Sequence, residues 1–235
     1  MKKGKLYLIP SVMGDSPIDF NIPKYNKEVI LSLKYFIVEN VRTARRFMKK
    51  VDKSVDIDSL TFFVLDKRTK ASTVPSFLKP ANDGHSIGVL SEAGCPGVAD
   101  PGADIVKLAH RRNMRVIPLI GPSSILLSVM ASGLNGQNFA FNGYLPVKSG
   151  ETSRAIKELE QRSIQLHQTQ IFIETPFRNT KILNDIMAAC KPSTQLCIAC
   201  DITLSSEYIV TKTIEQWKGK VPDINKRPAI FLIQG

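Results

Sequence analysis

The chain has 235 residues, 43% of them hydrophobic and 23% charged, an ordinary globular balance with room for one large domain or two small ones. Thirty-two Lys and Arg against 21 Asp and Glu give a formal net charge of +11, which fits plain solubility or a polyanionic partner. No repeat or low-complexity tract interrupts it. The opening MKKGKLYLIP is basic and then briefly apolar, and it turns at Pro10 and Gly14, short of a secretory signal core. No charged residue lies between Arg115 and Lys148, but Gly121, Pro122, Gly133 and several Ser and Asn break that stretch where a membrane helix would continue. A cytoplasmic protein with no membrane segment is expected.

In chain order, Lys5–Ile9 reads as a strand closed by Pro10, and Pro23 opens a helix carrying Val29, Ile30 and Leu33. Tyr35–Val38 is a short buried strand, and Val41–Val51 (VRTARRFMKKV) a strongly basic helix. Thr61–Leu65 is a strand, followed by a polar loop and a weak helix broken by Pro75; Ser86–Leu90 and Arg115–Leu119 complete the series. Continuous apolar runs alternating with helices predict a parallel sheet covered on both faces.

Past Gly133 the texture changes. Asn138–Leu145, Gln170–Glu174, Leu196–Thr203, Glu207–Thr213 and Ala229–Gln234 read as strands, with helices at 152–166 and 176–190. A Ser-Ser turn before EYIVTKTI predicts an antiparallel hairpin. The expected organisation is an α/β protein with an N-terminal parallel domain over residues 1–119 and a C-terminal mixed domain over 120–235.

Four cysteines, Cys95, Cys190, Cys197 and Cys200, fit a reducing compartment. Cys197 and Cys200 have C-x-x-C spacing, but on a strand residues three apart point to opposite faces, so buried core thiols are expected and no metal.

The stretch GVLSEAGCPGVADPG at 88–102 carries the chemistry. Leu90 ends a strand, so SEAGCPG lies where ligands collect on a parallel sheet, and Gly94 and Gly97 permit turns and close backbone approach. Asp100 reads as a helix N-cap with Pro101 at the first helical position, which leaves Glu92 free to meet a ligand. The next unit repeats the design: RVIPLI ends at Gly121-Pro122, and Ser123-Ser124 open a helix. Tight turn chemistry alone is the plainer account of these loops. No G-x-x-x-x-G-K-[ST] and no G-x-G-x-x-G follows the first strand. Small residues with a carboxylate suit a ligand bearing hydroxyls and positive charge, and S-adenosylmethionine has both.

Six segments in order then resemble one family. GKLYLIPSVMGD, SEAGCPGVADPG, PLIGPSS, NGYLP, FIETPFR and ACDIT are similar to G-x-L-Y-x-x-P-x-x-x-G-N, S-D-A-G-T-P-x-x-x-D-P-G, P-L-P-G-P-S-A, E-G-F-L-P, F-Y-E-S-x-x-R and A-R-E-L-T. These belong to the tetrapyrrole methylase superfamily, and within it to the ribosomal RNA small subunit methyltransferase I branch. The resemblance implies two α/β domains with a cofactor cleft between them, a homodimer, S-adenosylmethionine as donor and a cytidine ribose 2′-oxygen of ribosomal RNA as acceptor. It implies cofactor contacts from Pro10, from Glu92, Ala93, Gly94, Cys95 and Pro96, from Ser123 and Ser124, and from Ala199, Pro228, Ala229 and Ile230. Glu39 and Glu174 are then candidate bases, with Arg42 and Arg178 orienting them or holding phosphate; the plainer reading of Glu174 and Arg178 is a surface i,i+4 pair. The chain departs from the pattern at Asn40, where the family has Asp, and at Glu92, also Asp there, and it ends after its last strand where longer relatives add a helical extension. Arg42, Arg45, Arg46, Lys49, Lys50 and Lys53 form the expected RNA contact, with Arg42, Arg45 and Lys49 on one face. A small-molecule acceptor such as a tetrapyrrole, or binding without turnover, are the alternatives.

Overall fold

The structure is a computed structural model and describes residues 3–235. The chain folds as two compact units that meet in sequence at Ser123 and Ser124.

The first unit holds β1 (Leu6–Ile9), α1 (Ile18–Asn21), α2 (Lys24–Ser32), β2 (Tyr35–Val38), α3 (Val41–Val51), β3 (Thr61–Val64), β4 (Ile87–Leu90), α4 (Ala103–Arg111) and β5 (Val116–Pro118). A 3-10 helix at Val74–Asp83 replaces the weak helix expected there, and Pro80 inside it denies the α-helical ladder a donor. The five strands are parallel in the order β3-β2-β4-β1-β5. Alternate strand residues feed two cores. Phe36, Val38 and Ile9 pack with Val29, Ile30, Phe47 and Met48 from α2 and α3 on one face. Ile37, Leu6 and Val89 pack with Leu78, Ile105 and Ala109 on the other. The helices that follow β1 and β4 therefore cover opposite faces, although these strands are neighbours. That is a topological switch point, where a crevice opens between diverging loops.

The second unit holds α5 (Ser124–Ser132), β6 (Phe139–Tyr144), α6 (Ser149–Leu166), β7 (Thr169–Ile173), α7 (Asn179–Ala189), β8 (Gln195–Cys200), β9 (Tyr208–Thr213), α8 (Ile214–Trp217) and β10 (Ala229–Gln234). Its sheet runs β6-β7-β10-β8-β9. β6 and β7 are parallel, β10 is antiparallel to both its neighbours, and β8 and β9 form the expected antiparallel pair. The parallel sheet and the separate mixed sheet are the architecture the sequence predicts.

Three boundaries move for local reasons. β8 stops at Cys200 and not Thr203, because Asp201 and Thr203 take φ of +50° and +75°, which no strand accommodates. α7 begins at Asn179, after a 3-10 turn over Pro176–Arg178. Asp100 does not cap α4: Gly102 stands at that position with φ +135° and no side-chain bond, so Pro101 is not the first helical residue either. The Asp100 carboxylate accepts a hydrogen bond from the Ser91 hydroxyl instead, which ties the loop to the end of β4. Cys197 and Cys200 are both fully buried on β8, and Cys200 packs with Ile198 in the core cluster on one face of the sheet. All four cysteines are free, and burial pushes the Cys200 thiol up to about 11 and Cys190 up to about 12.

Candidate functional site

The loops leaving β1, β4 and β5 are knitted by backbone. Ser11 and Gly94 form an antiparallel bridge, with Ser11 N–H donating to the Gly94 carbonyl at 2.9 Å and Gly94 N–H returning at 3.2 Å. The Ser11 hydroxyl donates to the Ser91 carbonyl at 2.7 Å. Gly94 has φ +72°, the left-handed conformation the SEAGCPG turn requires. Gly121 presses against Pro10 so closely that an added Cβ would lie 2.3 Å from Pro10 Cγ. The Cys95 thiol reaches the Pro122 carbonyl at 3.4 Å, and Asn26 donates to the Ile120 carbonyl at 2.6 Å.

The loops leaving β1 and β4, with α3, border an open hollow of about 440 Å³ at the switch point. Its walls are residues 11–15 after β1, residues 90–93 at the end of β4, and the Thr43, Ala44, Arg46, Phe47 and Lys50 side of α3. Of the residues expected to hold a cofactor in this unit, Glu92 and Ala93 are exposed and line it. Pro10, Gly94 and Pro96 are buried, Cys95 and Ser123 are half-buried, and none of these five is in its lining. Ser124 begins α5, in the second unit. Sequence reasoning missed Val12–Asp15 and the α3 wall. The strand-end rule applied to β1 as well as β4 would have found the former.

Glu92 is not free, contrary to expectation. Its carboxylate accepts from the Thr43 hydroxyl, which also lies 3.0 Å from the Asn40 carbonyl. Asn40 caps α3, its side chain accepting from Arg42 N–H at 2.8 Å. Asn and Asp cap helices about equally well, so the departure at this position leaves the helix start intact. Glu39 follows β2 directly. Burial pushes its carboxyl above the ordinary value, and the charges of Asp100 and Glu92 push it the same way against Lys67. A carboxyl raised in the folded state contributes stability that is complete below its unfolded value and lost as pH rises through the folded value. Glu39→Gln is therefore expected to melt at a higher temperature than the parent at pH 8 and at the same temperature near pH 4, as read by calorimetry; an equal offset at both pH values would refute this assignment.

The cations of α3 do not act as one face. Arg45 Nη2 sits 3.3 Å from Asp58, and the Lys49 ammonium donates to the carbonyls of Lys53 and Val55 at 3.0 and 2.7 Å. The expected Arg42, Arg45 and Lys49 stripe is thus largely engaged in local structure. Arg46 and Lys50 line the hollow, and the Arg42 side chain is exposed.

In the second unit, β7 and β8 both run antiparallel to β10, so their carboxyl ends and the start of β10 share one end of the sheet. Glu174 follows β7 and is 6% exposed. Its Oε1 accepts from Thr175 N–H at 2.7 Å, and Oε2 stands 3.1 Å from Arg178 Nη1 without hydrogen-bond alignment. The i,i+4 pair exists, then, but its carboxylate is buried and not on the surface. Glu174 Oε2, Asn179 Oδ1 and Thr203 Oγ1 are all buried without a hydrogen-bond partner. Each such atom costs about 1–3 kcal/mol, a cost that a ligand donor would remove. Ala199 and Ile230 are buried, Ala229 is half-buried and Pro228 is exposed. The Pro228 carbonyl accepts from Asp201 N–H at 2.9 Å. Among the described residues no group of three or more His, Cys, Asp or Glu could hold a metal ion, and no helix is long and apolar enough to cross a membrane.

No family model matches the chain. Curated relatives do. The ribosomal RNA small subunit methyltransferase I of Escherichia coli O157:H7 is 25% identical over 99% of this chain and 78% of that protein. The Vibrio cholerae serotype O1 protein of the same name is 26% identical over 98% and 77%. Among solved structures, the methyltransferase CobJ aligns with a TM-score of 0.64 at 13% identity, covering 99% of this chain and 94% of that one. The cobalamin biosynthetic enzyme cobalt precorrin-4 methyltransferase, CbiF, aligns with a TM-score of 0.61 at 14% identity, covering 98% and 94%. The chain is thus similar over nearly its whole length to proteins named ribosomal RNA small subunit methyltransferase I, and it shares its fold with solved methyltransferases of cobalamin biosynthesis.

Proposed function

We propose that this protein is an S-adenosylmethionine-dependent methyltransferase that methylates a ribose 2′-oxygen in small-subunit ribosomal RNA, acting in the cytoplasm as a homodimer. The observation that carries this reading is the similarity over 99% of the chain to a protein named for that substrate. The switch-point hollow and the basic balance support it. When bound, the donor supplies an electrophilic sulfonium methyl group.

In this reading Pro10, residues 92–96 and Ser123 hold the donor largely through backbone. The orphaned oxygens of Glu174, Asn179 and Thr203 fit the amino and hydroxyl groups such a ligand carries. A ribose hydroxyl is a poor nucleophile until its proton has somewhere to go. Glu39, whose raised pKa strengthens it as a base, or Glu174 takes that proton, while Arg42 and Arg178 orient the carboxylate or the acceptor phosphate. Alignment and exclusion of water supply the remainder.

The test is transfer of labelled methyl from S-adenosylmethionine to small ribosomal subunits, with a cell metabolite extract as competing acceptor. Label is expected in ribosomal RNA, in dinucleotides that survive alkali because the 2′-oxygen is blocked. Label confined to acid-soluble compounds would favour a small-molecule acceptor. No incorporation, with donor binding intact by calorimetry, would leave a binding protein only.

A further inference from the structure

The face of α3 that borders the hollow carries a charge pattern of its own. Arg46 and Lys50, four residues apart, border the hollow, whereas Arg42, Arg45 and Lys49 are not in its lining. Arg45 lies outside the hollow, in an exposed pair with Asp58, and Lys49 is occupied by two carbonyls. Arg46 makes no ion pair or side-chain hydrogen bond among the described residues, yet it lines the hollow beside Lys50. Lys50 contacts Asp15 at 3.0 Å, but the Asp15 side chain is fully exposed. Exposed pairs contribute at most about 1 kcal/mol, so exchanging Asp15 for a phosphate oxygen costs little. Across the hollow Glu92 is already bonded to Thr43, which leaves the α3 side as the one with cationic donors to spare.

We propose that Arg46 and Lys50 seat a backbone phosphate of the acceptor RNA at the mouth of this hollow and so position the adjoining ribose at the ends of β1 and β4. The inference rests on the RNA-methylating reading above. The two side chains divide the work by their chemistry. The planar Arg46 guanidinium offers paired donors to two phosphate oxygens, and the Lys50 ammonium adds a point charge by exchanging Asp15 for phosphate. Ser91 and Ala93, lining the same hollow, present small groups, and the Glu92 carboxylate beside them is tied to Thr43.

The experiment uses the full chain and its Arg46→Ala, Arg46→Lys, Lys50→Ala and Arg45→Ala variants. Binding of a short single-stranded RNA is followed by fluorescence anisotropy across a salt series, alongside donor affinity by calorimetry and KM for small subunits. Arg46→Ala is expected to weaken RNA binding and raise KM about tenfold, and to lower the slope of log affinity against log salt by about 0.7, with donor affinity unchanged. Arg46→Lys recovers the slope but only part of the affinity, and Lys50→Ala shows a smaller loss of both. Arg45→Ala matches the parent. Parental slope and affinity in Arg46→Ala, an equal loss in Arg45→Ala, or a parent that does not bind the RNA would each overturn the phosphate seat. A parent that binds RNA through Arg46 but transfers no methyl would sink the enzymatic reading and leave the seat standing. Methylated subunits with parental KM in Arg46→Ala would do the reverse.

Discussion

Gly121→Ala is expected to reduce affinity for S-adenosylmethionine at least tenfold and to lower the melting temperature by about 5 °C or more. The new Cβ would sit 2.3 Å from Pro10 Cγ and 2.4 Å from Pro10 Cβ, far inside contact distance. The obstacle is a rigid pyrrolidine ring next to the buried end of β1, so it cannot rotate away as a flexible side chain would. Either Pro10 or the 119–122 segment must move. Both are tied to the SEAGCPG turn, since Ser11 bridges Gly94 and Cys95 meets the Pro122 carbonyl. The strain therefore spreads to residues 92–96, where the donor is proposed to bind. Gly150→Ala is the control: nothing lies within 4 Å of its added Cβ, and it should match the parent in both measurements. Calorimetric titration with the donor and a thermal melt decide it; parental donor affinity in Gly121→Ala would show that these loops do not form the binding surface.

Asp201→Ala should be the most damaging polar substitution in the second unit, costing about 2–4 kcal/mol. Asp201 is almost wholly buried, and its Oδ2 accepts from Arg227 Nε at 2.9 Å and from the Ser206 hydroxyl at 2.8 Å. Removal strands the guanidinium, which also holds the Ser206 carbonyl at 2.7 Å. A second penalty comes from the backbone: at φ +50° Asp and Asn are tolerated better than Ala. Asp201→Asn keeps the conformation and an acceptor while losing the charge, so it should recover at least half of the deficit in urea denaturation. If both variants unfold at the same urea concentration, backbone tolerance contributes nothing. The same loop carries Thr203, so loosening it should also weaken whatever group satisfies the orphaned oxygens at that sheet end.

Much of the fold was legible because burial leaves a local imprint. The apolar runs at 35–38 and 87–90 lie in the sheet interior, and continuous hydrophobicity is what burial on both faces demands. The basic helix at 41–51 was legible to the residue, because Asn40 marks its start and Ala44, Phe47, Met48 and Val51 mark its buried side. Where the reading slipped, the deciding force was not local. Nothing at Asp201 or Thr203 announces positive φ, since neither is glycine and the conformation is held by Arg227 and the Pro228 carbonyl from far along the chain. Asp100 looked like a cap by its neighbours and became the acceptor for Ser91.

The sequence by itself determined that this is a two-part α/β protein with small, backbone-rich turns at strand ends, because strand periods, caps and turn residues are properties of a few consecutive side chains. Only the tertiary structure decided that β1 lies beside β4 with their helices on opposite faces, and hence where the hollow opens. Only it decided which cations of one helix are engaged and which are free, and that an oxygen of each of Glu174, Asn179 and Thr203 is buried without a partner. Each of these depends on which distant segments become neighbours, and adjacency across a sheet is set by the packing of whole elements against one another.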